Sequence, residues 1–129
     1  IDTGNENALF FDLFTMFMRL AYSRKVKELK RWSDSAASFG REKQKRMLLY
    51  FMRMVRENFM YNFHQPDLVY MTTEEQNFAK RFAPFINEGN IIEFSEMFER
   101  ALRDVTQNAN SKMVFFDIAL QSIIYITRK

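Results

Sequence analysis

His64 is the only histidine in the chain, and there is no cysteine. The side chains that most often act as bases, nucleophiles and metal ligands are therefore nearly missing. His64 stands beside Gln65 and Pro66 with no neighbouring pattern for a base or a nucleophile. A catalytic triad needs partners that the sequence does not offer, so His64 reads as a loop histidine without a catalytic role. No H-E-x-x-H and no second histidine or thiolate is present to complete a zinc site. No G-x-x-x-x-G-K-[ST] occurs, and three scattered glycines cannot build a phosphate-cradling loop. The carboxylate pairs Glu74–Glu75 and Glu96–Glu99 read as solvated surface, since Glu is rarely buried. No catalytic residue, cofactor or metal is expected. Asp117 differs, because it interrupts an apolar run and there needs a partner or a wet edge. It is either a helix face reaching solvent or a polar contact between helices or subunits.

The other chemistry on offer is charge. Residues 19–57 hold twelve Lys or Arg against four Asp or Glu, a net +8, while residues 1–18 carry −3 and residues 58–129 carry −2. Two basic clusters stand out, RKVKELKR (24–31) and REKQKR (41–46). Lys25, Lys27, Arg41, Lys43, Lys45 and Arg46 could neutralise phosphates of a polyanion. The favoured reading is a solvated helix surface whose long stems cover apolar area. Glu28 can pair with Arg24 and Arg31 on such a surface, and Glu42 with Lys45 and Arg46. Contact with an acidic neighbouring subunit would use the same residues.

The elements that carry these residues are six helices and no strands, in one domain over residues 1–129. Helix one runs from about Asn5 to Ser23, with Thr3 and Glu6 as a capping box. Leu9, Phe10, Leu13, Phe14, Phe17, Leu20 and Ala21 recur at helical spacing, broadened by Phe11, Met16 and Met18. Helix two spans roughly Lys25 to Phe39, with Val26, Leu29, Trp32 and Ala36 inward and Gly40 as its C′ residue. Helix three runs from about Arg41 to Phe63 and buries Met47, Leu48, Phe51, Met54, Val55 and Phe59. Asn58 and Asn62 fall beside that face, where a wet helix end is favoured. A loop around Pro66 covers His64 to Met71. Thr72 with Glu75, or Thr73 with Gln76, caps helix four, about Glu74 to Ile86, which Pro84 should kink or end early. Asn90 with Glu93 caps helix five, which runs to about Gln107 with Ile91, Phe94, Met97, Phe98, Ala101, Leu102 and Val105 inward. Asn108 and Asn110 suit a tight break before helix six.

Helix six has an unusual pattern. From Met113 to Ile126 apolar residues cover nearly the whole circumference, interrupted by Asp117, Gln121 and Ser122. A helix apolar all round is buried, yet a chain of 129 residues buries only roughly two-thirds of its unfolded surface. The expectation is a helix enclosed on one side by its own bundle and on another by a second polypeptide. Lipid is excluded as that second partner, because a spanning helix needs about 20 residues and this run has fourteen, with an Asp among them. The fifteen Phe and nine Met would also suit a pocket for an apolar ligand, but nothing polar converges to orient one. The absence of cysteine fits a reducing compartment. The apolar run near the start is preceded by Asp2 and Glu6 rather than by basic residues, unlike a signal peptide. The chain begins at Ile1 rather than Met, which suggests the tail of a longer polypeptide.

Three segments, FGREKQKRMLLYFMRMVRENFMYNF (39–63), RFAPFINEGNI (81–91) and NANSKMVFFDIAL (108–120), together resemble the C-terminal region of the delta-prime subunit of bacterial DNA polymerase III. The resemblance covers most of the chain, and the GREKQK opening and REN (56–58) are its more specific parts. It implies an all-α domain of clamp-loader collar type. Such domains from five subunits join into a closed ring that holds ATPase modules for loading a sliding clamp during DNA replication. Delta-prime itself is usually a stator that does not hydrolyse ATP. On this resemblance the expected partners are other clamp-loader subunits, the expected location is the cytoplasm, and no membrane is involved. Helices five and six are then the expected assembly surface, with Asn108, Asn110, Phe116, Asp117, Leu120 and Gln121 as candidate contacts. A basic helical nucleic-acid-binding module is the alternative.

Overall fold

The computed structural model describes residues 3–62 and 71–127, with side chains from Glu6 onward. Six α-helices and no strand occur among them: α1 (Thr3–Tyr22), α2 (Val26–Ala37), α3 (Arg41–Tyr61), α4 (Thr73–Phe82), α5 (Ile91–Thr106) and α6 (Ser111–Ile126), with a 3₁₀ turn at Ala83–Phe85. The expected all-α bundle of about six helices is therefore the fold. The loop around Pro66, with His64, lies outside the described residues.

The core is dense in aromatic rings. Phe17, Phe51 and Trp32 form a mutually contacting set with centroids 4.6–6.0 Å apart, which Phe14, Phe98 and Phe115 extend. Tilted and edge-on rings at these separations add attraction beyond area burial. α5 packs along α3, and α6 lies against α2, α5 and α1. Trp32 donates its indole N–H to the Leu13 carbonyl at 3.1 Å. This satisfies its one polar atom within the core.

Helix boundaries follow local chemistry, with several corrections to the sequence reading. The Thr72–Glu75 capping box forms in both directions. Pro84 ends α4 in the 3₁₀ turn, four residues short of the expected Ile86, because proline lacks the donor that would continue the helix. The expected Thr3–Glu6 capping box rests on a Thr3 side chain outside the described ones. α1 already includes Thr3, and the Glu6 carboxylate is held by Arg46 at 2.7 and 3.1 Å. Gly40 is not a left-handed C′ residue. Its φ of −65° and ψ of 157° make it the extended N-cap of α3. α2 needs no such cap, because the buried Gln44 amide donates to the carbonyls of Ala36, Ala37 and Phe39. Left-handed residues stand at Arg24 (φ 57°) and Asn108 (φ 64°) instead. Both close Schellman motifs: Lys25 N–H bonds to Leu20 O, and Ala109 N–H to Asp104 O.

Val26 and Met16, expected inward, are exposed. Asn58 is fully buried rather than wet, with its amide donating to Met54 O. Asn62 is half-buried and donates to Ala83 O and Ile86 O, tying α3 to the end of α4. Asn90 does not cap α5. Its side chain is buried, accepts from Asn87 N–H and donates to Phe85 O and Tyr125 O. Glu75, expected on the surface, is also buried. It accepts from the Tyr50 hydroxyl and from Arg53 at 3.0 Å, partners that offset the cost of burying a carboxylate.

Candidate assembly surface

α6 is placed by its two ends. Asn108 turns the chain in the left-handed conformation that Asn tolerates better than most residues. Asn110 then caps α6 by accepting from Met113 N–H at 3.2 Å. Arg41, at the first position of α3, donates to Val105 O and Ala109 O, both at 3.2 Å. Ser111 Oγ lies 3.0 Å from Gln44 Oε1 and so donates to it. The turn between α5 and α6 is thus tied to the start of α3.

One side of α6 closes the core through Val114, Phe115, Ile118, Ala119, Ser122 and Ile126. The opposite side remains open. Met113 is 71% exposed, Leu120 39% and Ile124 58%. These three and exposed Asp117 follow i, i+4, i+7, i+11 spacing, which places them in one line along the helix. The half-buried Phe116 borders the line, with Lys30 Nζ 5.7 Å from its ring centroid. Lys30 also pairs with Asp34 at 2.9 Å, and this hydrogen bond lowers the Asp34 carboxyl pKa below its usual range.

A polar strip runs along the other border. Arg100 of α5 donates to Gln121 Oε1 at 3.2 Å, which also accepts from the Tyr125 hydroxyl at 3.1 Å, and the Gln121 amide donates to Asp117 at 2.6 Å. Asp117 is therefore a solvent-reaching residue with an intrahelical partner. The result is an apolar line edged by charged and polar groups, the arrangement that a helix from another polypeptide can cover.

The structure brings Phe116, Asp117, Leu120 and Gln121 together on or beside this face. Asn108 and Asn110 are exposed at its N-terminal end, where both have backbone roles. Met113, Ile124 and Arg100 were not among the expected contacts. The first two could have been found by stepping seven residues back and four forward from Leu120.

The residues considered for polyanion contact do not form one patch of free charge. Arg41 is taken up by the α5–α6 turn, Arg46 by Glu6, and Lys45 by Glu42 at 3.2 Å. Lys43 lies 4.4 Å from the Phe39 ring centroid. The hydrogen bond between Arg46 and Glu6 holds the Glu6 carboxyl pKa down and the Arg46 pKa up. Lys25 and Lys27 are exposed. Among the described residues no helix is long and apolar enough to cross a membrane, and no three His, Cys, Asp or Glu gather as metal ligands. Comparison of the chain with family models, curated proteins and solved structures finds no match.

Proposed function

We propose that this chain is a non-catalytic oligomerisation domain, the collar domain of a bacterial DNA polymerase III clamp-loader subunit of delta-prime type. In this role it joins other loader subunits in the cytoplasm for sliding-clamp loading during DNA replication. The observation that carries the reading is the uncovered apolar line on α6, set on the helix whose opposite side completes the core. Scaling the value of about 1.5–3 kcal/mol for fully burying one such side chain by their exposed fractions, covering Met113, Leu120 and Ile124 is worth roughly 3–5 kcal/mol in total. That gain is available only to a partner. The three-segment resemblance supplies the identity of that partner, a neighbouring collar domain. The alternative of a nucleic-acid-binding module draws little support from Arg41, Lys45 and Arg46, whose charges are engaged within the chain.

The test is co-purification with the C-terminal domains of other clamp-loader subunits. Stable co-elution at micromolar concentration is expected, and Leu120→Glu with Ile124→Glu should abolish it while leaving the helical circular dichroism unchanged. Failure of the wild-type chain to co-elute, or co-elution unaffected by the double substitution, would sink the proposal.

A further inference from the structure

A second uncovered surface lies on the far side of α2 from α6. Between α1 and α2 runs a groove of about 480 Å³, with Leu13, Met16 and Leu20 on one wall and Glu28, Arg31 and Ser35 on the other, over the edge of Trp32. Met16 is 52% exposed at its centre. With 3.6 residues per turn, Glu28, Arg31 and Ser35 fall on one flank of α2's buried face, and Lys30, which touches Phe116, on the other. The groove and the α6 line are therefore separate surfaces. Leu13 to Leu20 rises about 10 Å along α1, enough to seat two turns of a docked helix.

The rim is basic. Arg19 and Arg31 line the groove and its continuation along α1. Arg24, Lys25 and Lys27 surround the tight turn where α1 meets α2. All five are exposed, and none makes an ion pair among the described residues, where the four pairs involve Lys30, Lys45, Arg46 and Arg53. Asp12 and Glu28 line the same groove and its continuation, so the lining sets two cations against two carboxylates, and the excess positive charge comes from the three exposed cations at the α1–α2 turn that closes one end.

We infer that the α1–α2 groove docks a short amphipathic helix with acidic flanks, belonging to a partner protein. The apolar floor takes the partner's residues at i, i+3/i+4 and i+7. The unpaired cations attract its carboxylates, raising the association rate and rejecting basic segments. A single-stranded nucleic acid fits less well. Its affinity relies on exposed aromatic faces for base stacking, whereas Trp32 is buried and its N–H is already bonded. This inference stands apart from the collar reading, since it uses neither α6 nor the clamp-loader resemblance.

The experiment uses a fluorescein-labelled synthetic helix, Leu at i, i+3, i+7 and i+10 with Glu at flanking positions, titrated with the chain and read by fluorescence anisotropy. Parallel titrations use a scrambled peptide of the same composition, the Lys-for-Glu version and a single-stranded oligonucleotide. The amphipathic acidic peptide should bind at least about tenfold tighter than the scrambled and basic ones. Met16→Glu should weaken it about tenfold or more, and Arg31→Glu severalfold with a reduced salt dependence. Both substituted positions are exposed, and circular dichroism checks that each variant is folded. Absent binding, binding equal to the scrambled peptide, binding indifferent to Met16→Glu, or tighter binding of the oligonucleotide would each overturn the inference.

Discussion

Ile118 and Ile124 sit six residues apart on α6, and their responses to truncation should differ sharply. Ile118 is 2% exposed and faces the core. Ile118→Ala removes its packing and leaves a void, which costs about 2–5 kcal/mol for a buried isoleucine. Ile124 is 58% exposed, so only about two-fifths of its surface is covered within the chain. Scaling the transfer value of about 1.5–3 kcal/mol for a fully buried side chain gives Ile124→Ala a cost of about 1 kcal/mol or less. No closed cavity forms there. Urea unfolding followed by far-ultraviolet circular dichroism distinguishes the two. With a slope of about 2 kcal/mol per M, Ile118→Ala should lower the midpoint by 1 M or more and Ile124→Ala by about half that or less. If Ile124→Ala lowers the midpoint as far as Ile118→Ala, the outer line of α6 is already enclosed by its own chain. It would then not be free for a partner.

Tyr50 should produce an alkaline signature. Burial, and then its hydrogen bond to Glu75, push the phenol pKa above the ordinary value of 10.0. A folded pKa above the unfolded one means full stabilisation below about pH 10 and progressive loss as pH rises beyond it, since only the unfolded phenol ionises there. Tyr50→Phe should flatten that alkaline decline while costing about 1–2 kcal/mol at pH 7 through the lost bond to a buried carboxylate; identical alkaline slopes would contradict this. Arg24 holds a left-handed conformation that glycine adopts freely, so Arg24→Gly should gain about 0.5 kcal/mol in thermal unfolding. A clear loss there would refute backbone strain at that turn.

The six helices were legible because their apolar residues recur at helical spacing over long stretches, and spacing reports which face turns inward. What spacing could not report was which polar side chain answers which helix end. Gly40 looked like the stop for α2, but the donors came from Gln44 on the next helix. Glu75 looked solvated because Glu usually is, yet Tyr50 and Arg53 arrive from 25 and 22 residues away in sequence. Asn90 matched a local capping pattern and was claimed by Phe85 and Tyr125. The Tyr50, Arg53 and Tyr125 contacts join polar atoms far apart in sequence, and the Gln44 and Phe85 contacts, though local, depend on how the chain folds back at a helix end, which apolar spacing does not report. Val26 and Met16 erred differently. A hydrophobic side chain at the margin of a stripe can fall on either side of it, and both fell outward. The candidate surface was half visible: the pattern of α6 showed that some side would stay open, but which side depended on where α2 and α5 settle against it.

Arg41 and Gln44 have a mechanical consequence. Within one turn of α3 they grip the end of α2, the end of α5 and the start of α6. A load applied at the corner carrying Asn108 and Asn110 would pass directly into the longest helix of the bundle rather than bending a slack connection. Whatever takes hold of that corner takes hold of a stiff lever, and the whole domain turns with it.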